Sequence, residues 1–178
     1  MLVTICKDLF MLCDPNTDWE TVWRRSRMSG LGSDFSSFLY RILHDLLPTR
    51  ERQHRISPTT TNVCSLCPSN SVETLGHVFF NCSFNSEFGL GLVQTLKNYD
   101  NSITPEKILL LNFNLEDDDL EHPFVWLIAA SLQHIWNCRI NSRRTRLYTI
   151  RAEVESKVAL LRETRHRSSA EKILEMLN

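Results

Sequence analysis

The chain has 178 residues, 42% of them hydrophobic and 23% charged, with 20 basic against 21 acidic side chains. This is the composition of an ordinary globular protein, and the length suffices for one sizeable core or two small ones. The charge balance gives no bulk attraction to nucleic acid or anionic lipid, so any such contact must come from a local patch.

In chain order, the start MLVTICKDLFMLCD is apolar but interrupted by Lys7 and Asp8. It lacks a basic leader and a small-residue cleavage site, which argues against a secretory signal and for an intracellular, reducing setting, nuclear or cytoplasmic. Short helices are expected over 1–13 and 18–29, with Thr17 or Asp18 available as N-cap of the second. Gly30 and Gly32 then break the chain, and Ser33 or Asp34 can cap DFSSFLYRILHDLL. There Phe35, Phe38, Leu39, Ile42, Leu43 and Leu46 recur at spacings of three and four, making one apolar stripe on a helix. Pro48 suits the first turn of a basic helix, PTRERQHRI, and residues 57–62 have the turn chemistry of a linker.

The linker leads into CSLCPSNSVETLGHVFFNC, with the spacing Cys64-x2-Cys67-x9-His77-x4-Cys82. Three thiolates and one imidazole are the donors a closed tetrahedral zinc site takes. A CxxC turn can aim two sulfurs at one point, and a helix over VETLGHVFF can deliver the second pair. His77 and Cys82 are five apart, and at ~100° per residue they would not share a face of an unbroken α-helix. The helix is therefore expected to end near Asn81, with Cys82 on the turn beyond. The rivals are a thioredoxin-like redox pair at Cys64 and Cys67, a disulfide framework, and a chance cluster of buried thiols. The first needs a βαβ context and the second an extracellular one, so the spacing favours one structural zinc. His54 is a lower-ranked alternative to His77, while Cys6, Cys13 and Cys138 read as inert thiols in apolar helices and His44 and His134 as core-edge or surface residues.

Beyond Cys82, SFNSEFGLGLVQTLKNYD reads as helical although Gly89 and Gly91 weaken it. Thr104-Pro105-Glu106 starts a short helix through Phe113, and NLEDDDLEH is a solvated acidic loop at Asp117, Asp118 and Asp119. The strongest helix runs from Pro123 to about Arg139. Its PFVWLIAASLQHIWNCRI is short for a bilayer span and carries Gln133, His134 and Asn137, so a buried core helix is expected and no membrane contact. Two further helices are expected near 144–162 and 169–177. No alternating strand pattern stands out, which predicts an all-α, bundle-like chain with a small zinc-stapled CCHC module in the middle. Its segments are N-terminal helices over 1–56, the zinc module over 57–98 and C-terminal helices over 99–178, packed as one unit.

The run FLYRILHDLLPTRERQHRI, the linker, CSLC, ETLGHVFFNC and SFN resemble the zinc-binding module near the C-terminus of LINE-type non-LTR reverse transcriptases. In that family an apolar helix ends in a Leu-Pro-Thr-Arg turn just ahead of a CCHC site. The resemblance is most specific from Phe38 to Phe84 and looser in the helical tail. It implies Cys64, Cys67, His77 and Cys82 as zinc ligands, an association with element RNA or target DNA, and an origin as a fragment or derivative of a retrotransposon polyprotein. It does not bring polymerase activity, because "NLEDDDLEH" has no aromatic residue immediately ahead of its aspartates and no polymerase body around it.

Two basic patches are candidates for nucleic acid: Arg50, Arg52 and Arg55 beside the zinc module, and Arg139, Arg143, Arg144 and Arg146 after the longest helix. The competing expectation is an internally neutralised surface in which these arginines pair with Asp100, Glu106 or the acidic loop. Phe79 and Phe80 suit base stacking, but with Leu75 and Val78 adjacent, core packing is the better reading. A second functional class is a protein-interaction module or inert relic with a purely structural zinc, in which an apolar stripe left exposed favours self-association or contact with a polymerase domain. A cysteine hydrolase would need a free thiolate, which four filled ligand positions deny.

Overall fold

The computed structural model describes residues 17–142 and 167–176, together with 152, 155, 156 and 158. The helices expected over 1–13 and most of 144–162 lie outside the described residues. Seven α-helices have described bounds: α1 (Trp19–Ser26), α2 (Ser33–Leu43), α3 (Arg50–Ile56), α4 (Ser86–Lys97), α5 (Pro105–Leu109), α6 (Glu121–Ile140) and α7 (Arg167–Met176); residues 152, 155, 156 and 158 are helical as well. A π-helical turn spans His77–Asn81 and a 3₁₀ turn Asp118–Leu120. The one β feature among the described residues is an isolated antiparallel bridge between Val63 and Val72, so the all-α expectation holds.

Side-chain caps mark the starts of α1, α3 and α5. Asp18 caps α1 by accepting hydrogen bonds from the Glu20 and Thr21 amides at 3.1 and 3.2 Å, and Thr104 caps α5 through the Lys107 amide at 3.3 Å, with Pro105 behind it. Two starts differ from expectation. Gly32, with φ 84, holds the N-cap position of α2 without a side-chain bond, so neither Ser33 nor Asp34 caps it. Pro48 stays outside α3, whose N-cap is Thr49.

The α2 stripe ends a turn early. The Leu46 amide bonds the Arg41 carbonyl at 2.7 Å and the Asp45 amide bonds Ile42 at 2.9 Å, a Schellman closure with Asp45 at φ 49. Phe35, Phe38, Leu39, Ile42 and Leu43 are therefore buried, whereas Leu46 swings to the surface.

At the centre is α6, buried continuously from Pro123 to Leu132. A helix that is apolar all round must be wrapped, and α1, α2, α4, α7 and the π turn wrap it. One hydrophobic cluster runs from Val22 to Met176 and includes Leu75, Val78, Phe79 and Phe80 of the zinc segment. No helix among the described residues is long and apolar enough to cross a membrane. At the start of α6, Glu121 forks onto Arg24 at 2.6 Å and Arg25 at 2.9 Å; Arg25 also donates to the Leu111 carbonyl and lies 3.9 Å over the Phe113 ring.

Candidate metal centre

The centre is built from a short hairpin and the turn that follows it. The Cys64 amide bonds the Ser71 carbonyl at 3.0 Å and the Glu73 amide bonds the Asn62 carbonyl at 2.9 Å, which pinches the chain so that Cys64 and Cys67 share one tight loop. Thr74 then accepts the His77 amide at 3.0 Å, starting a helical turn at Leu75 rather than at Val72 as the sequence suggested. From His77 the turn widens: the Cys82 amide bonds the His77 carbonyl at 2.7 Å, five residues back. Such a π turn brings position i+5 over position i, which an α-helix does not. The expectation that the helix stops at Asn81 with Cys82 beyond it is met, and the widened turn resolves the five-residue spacing.

The ligand atoms of Cys64, Cys67, His77 and Cys82 all lie within 4.8 Å of one another, and all four residues are buried. Zinc with sulfur at ~2.3 Å and nitrogen at ~2.05 Å in a tetrahedron demands edges of ~3.8 Å between sulfurs and ~3.6 Å between sulfur and nitrogen. The Sγ atoms of Cys64 and Cys82 are 3.9 Å apart, and Cys67 Sγ is 3.4 Å from His77 Nε2. A disulfide needs ~2.05 Å, and the three thiols are free. The donor set fits one structural zinc, with no position left open for a substrate.

The surroundings prepare the thiols unequally. Burial pushes Cys64 up, and burial together with the neighbouring sulfurs takes Cys82 to about 12. Burial also works upward on Cys67, but the Ser69 hydroxyl at 3.0 Å, the Ser69 amide and hydrogen bonds with Cys64 and Cys82 together outweigh it and bring this thiol to about 6. Cys67 is the sulfur readiest to meet a metal ion as thiolate. The Leu66 amide approaches Cys64 Sγ at 3.4 Å, and Leu66 and Phe84 close the apolar side of the cluster.

Two residues whose roles the sequence did not reveal, Glu73 and Gly89, fasten this knuckle to the helices. Glu73 is fully buried; its Oε1 accepts the Arg50 amide at 2.9 Å and the Arg139 guanidinium at 2.5 Å, and its carbonyl accepts the Glu51 amide at 3.3 Å. With Thr49 taking the Arg52 amide at 3.2 Å, the first turn of α3 has its free amides satisfied, two of them by the knuckle. Gly89 of α4 packs on the π turn so closely that a Cβ there would stand 2.0 Å from the Phe79 carbonyl oxygen. Ser69 acts through Cys67 as described. Gly89 was legible only as a helix-weakening residue, and nothing in Val-Glu-Thr marked an inward-facing carboxylate.

The other candidates distribute as follows. His54 Nδ1 lies 2.6 Å from the Thr60 carbonyl, closing the linker and away from the cluster. His44 sits between the Tyr40 and Trp23 rings, and Cys138 lies 3.3 Å from His134 Nε2 one turn back on α6. Phe79 and Phe80 are buried, as core packing requires. Arg52 donates to the Asp45 carbonyl and Arg55 pairs with the Asp45 carboxylate. Arg139 is held by Glu73 and lies 4.9 Å over the Trp136 ring, while Arg143, Arg144 and Arg146 lie outside the described residues. The acidic stretch is exposed and meets Lys172, 3.8 Å from Asp117 and 3.5 Å from Asp119.

The geometry defines a helical protein carrying one compact knuckle of three cysteines and a histidine. Residues 5–88 match a protein family described as zinc-binding in reverse transcriptase, a span that contains all four ligands. No curated protein and no solved structure matches the chain.

Proposed function

We propose that the chain is a non-catalytic, nucleic-acid-binding module from the C-terminal region of a LINE-type non-LTR reverse transcriptase, as a fragment or derivative of its polyprotein. The observation that carries this reading is the coincidence of the reverse-transcriptase zinc-binding match with a cluster whose spacings are those of zinc. A knuckle with four protein donors supports architecture rather than chemistry. Its partner in this reading is RNA or DNA, met by Arg50 at the knuckle and by Arg143, Arg144 and Arg146, with a polymerase domain as neighbour. A second reading, an interaction module or relic with structural zinc alone, draws on the internal pairing of Arg52, Arg55 and Arg139.

Salt titrations of binding to single-stranded RNA and duplex DNA separate the two. With three to five phosphate contacts, raising salt from ~50 to ~200 mM weakens single-strand binding by about one to two decades. Replacing Arg143, Arg144 and Arg146 by glutamine flattens that slope and leaves zinc content unchanged. Overlapping curves for parent and variant give the second reading the advantage.

A further inference from the structure

A cavity of about 270 Å³ opens where three pieces of chain meet: the start of α3, the CxxC loop and the end of α6. Arg50, Gln53, Ser65, Arg139 and Ser142 supply polar atoms to it, and among the described residues no acidic side chain lines it. Leu66 and Ile140 form its apolar walls. The volume lies just under the ~300–1,000 Å³ of small-molecule pockets, too small for a large cofactor and suited to one phosphate of a chain passing across it.

The two arginines differ in what they have left to give. Arg139 is fixed by Glu73 below and Trp136 beside it, so its charge is balanced while most of its five donors remain. Arg50 uses only its backbone amide on Glu73, and no carboxylate pairs with its guanidinium among the described residues. Its neighbour across Leu66 is the knuckle, where a zinc dication with three thiolates leaves one negative charge in excess. An anion in the cavity therefore depends on Arg50 above all. Ser142, with φ 50, turns the chain out of α6 at the cavity rim, and the next residue in sequence is Arg143.

We propose that this cavity is a phosphodiester subsite, in which Arg50 forks onto a backbone phosphate while Gln53, Ser65 and the pre-set Arg139 complete its hydrogen bonds. The subsite rests on the nucleic-acid reading above and gives it a position. Glu73 serves both knuckle and cavity, so metal loading and the stance of Arg139 are tied together.

The test uses the full zinc-loaded chain and compares Arg50→Gln with Arg27→Gln. Arg27 follows α1, which packs at the far end of α6, ~27 Å along the helix from Arg139. Arg50→Gln keeps the backbone amide that Glu73 needs, so zinc content and helicity stay at parent values. The expected result is roughly tenfold weaker binding to single-stranded RNA at low salt, a log–log salt slope shallower by ~0.7, and little change for Arg27→Gln. Parent binding with equal curves for both variants overturns the subsite and leaves the nucleic-acid reading standing. Absence of parent binding to both RNA and duplex DNA overturns both. Inorganic phosphate that shifts the Arg50 side-chain NMR resonance, combined with unaltered RNA binding by Arg50→Gln, assigns the cavity to a free anion and also overturns the proposal.

Discussion

Gly89 shows how one hydrogen atom in place of a methyl group sets the position of the metal centre. In an exposed helix an alanine would gain ~1 kcal/mol over glycine, but here its Cβ would stand 2.0 Å from a backbone oxygen that cannot rotate away. We expect Gly89→Ala to destabilise by a net ~2 kcal/mol or more, the overpacking cost exceeding the propensity gain. Thermal unfolding measures it, and a variant as stable as the parent would show that α4 and the π turn slide apart freely. At this scale the four ligands were legible, because donor type and spacing are chemical facts of the sequence. Glu73 and Gly89 were not, because their roles depend on what another segment places against them.

Between elements, the joint of α1 with α6 rests on charge inside a mostly apolar contact. Arg24 hydrogen bonds, assisted by Arg25 and opposed by burial, hold the Glu121 carboxyl below its ordinary value. A depressed folded-state value means that the ionised form stabilises the fold above the unfolded pKa of ~4.3 and that this stability is lost as pH falls through the folded value. Acid titration of the parent should therefore show stability declining below pH ~4.3, with a flatter decline in Glu121→Gln. At neutral pH that variant should lose about 2 kcal/mol, since the buried Arg25 keeps its Leu111 and Phe113 contacts but loses its counter-charge. Identical acid limbs would remove Glu121 from the account. Helix interiors were readable here from periodicity, and helix ends less so. Asp45, Leu111 and Ser142 close α2, α5 and α6 with positive φ, where glycine would have announced the stop.

For the molecule as a whole, the question is how much of the fold depends on zinc. Zinc-finger peptides gain an apparent ~10–16 kcal/mol from their metal and unfold without it, but here Val78, Phe79 and Phe80 belong to the main core. We expect one zinc per chain, and chelation that releases amide protection over about residues 62–76 while α6 and the π-turn aromatics stay protected. Hydrogen exchange with and without chelator checks this, alongside metal analysis of Cys82→Ala, which should bind zinc far more weakly. Undiminished zinc affinity in that variant, or no zinc in the parent, would discard the site. The central place of α6 was visible in its unbroken apolarity. Which helices cover it was not, since contacts such as Arg24 with Glu121 join residues 97 apart.

The contact between α4 and the π turn also bears on how such knuckles are recognised. A pattern that stops at the last ligand, Cys-x2-Cys-x9-His-x4-Cys, records only who holds the metal, and runs of that kind arise wherever cysteines cluster. The seventh residue after Cys82 carries different information: it must be small because another helix already occupies the space a side chain would need. It also falls one position past the family match, which ends at residue 88. Extending the pattern by x6-Gly would select for knuckles docked on a following helix and pass over those that stand alone, which makes Gly89 a diagnostic of architecture rather than of chemistry.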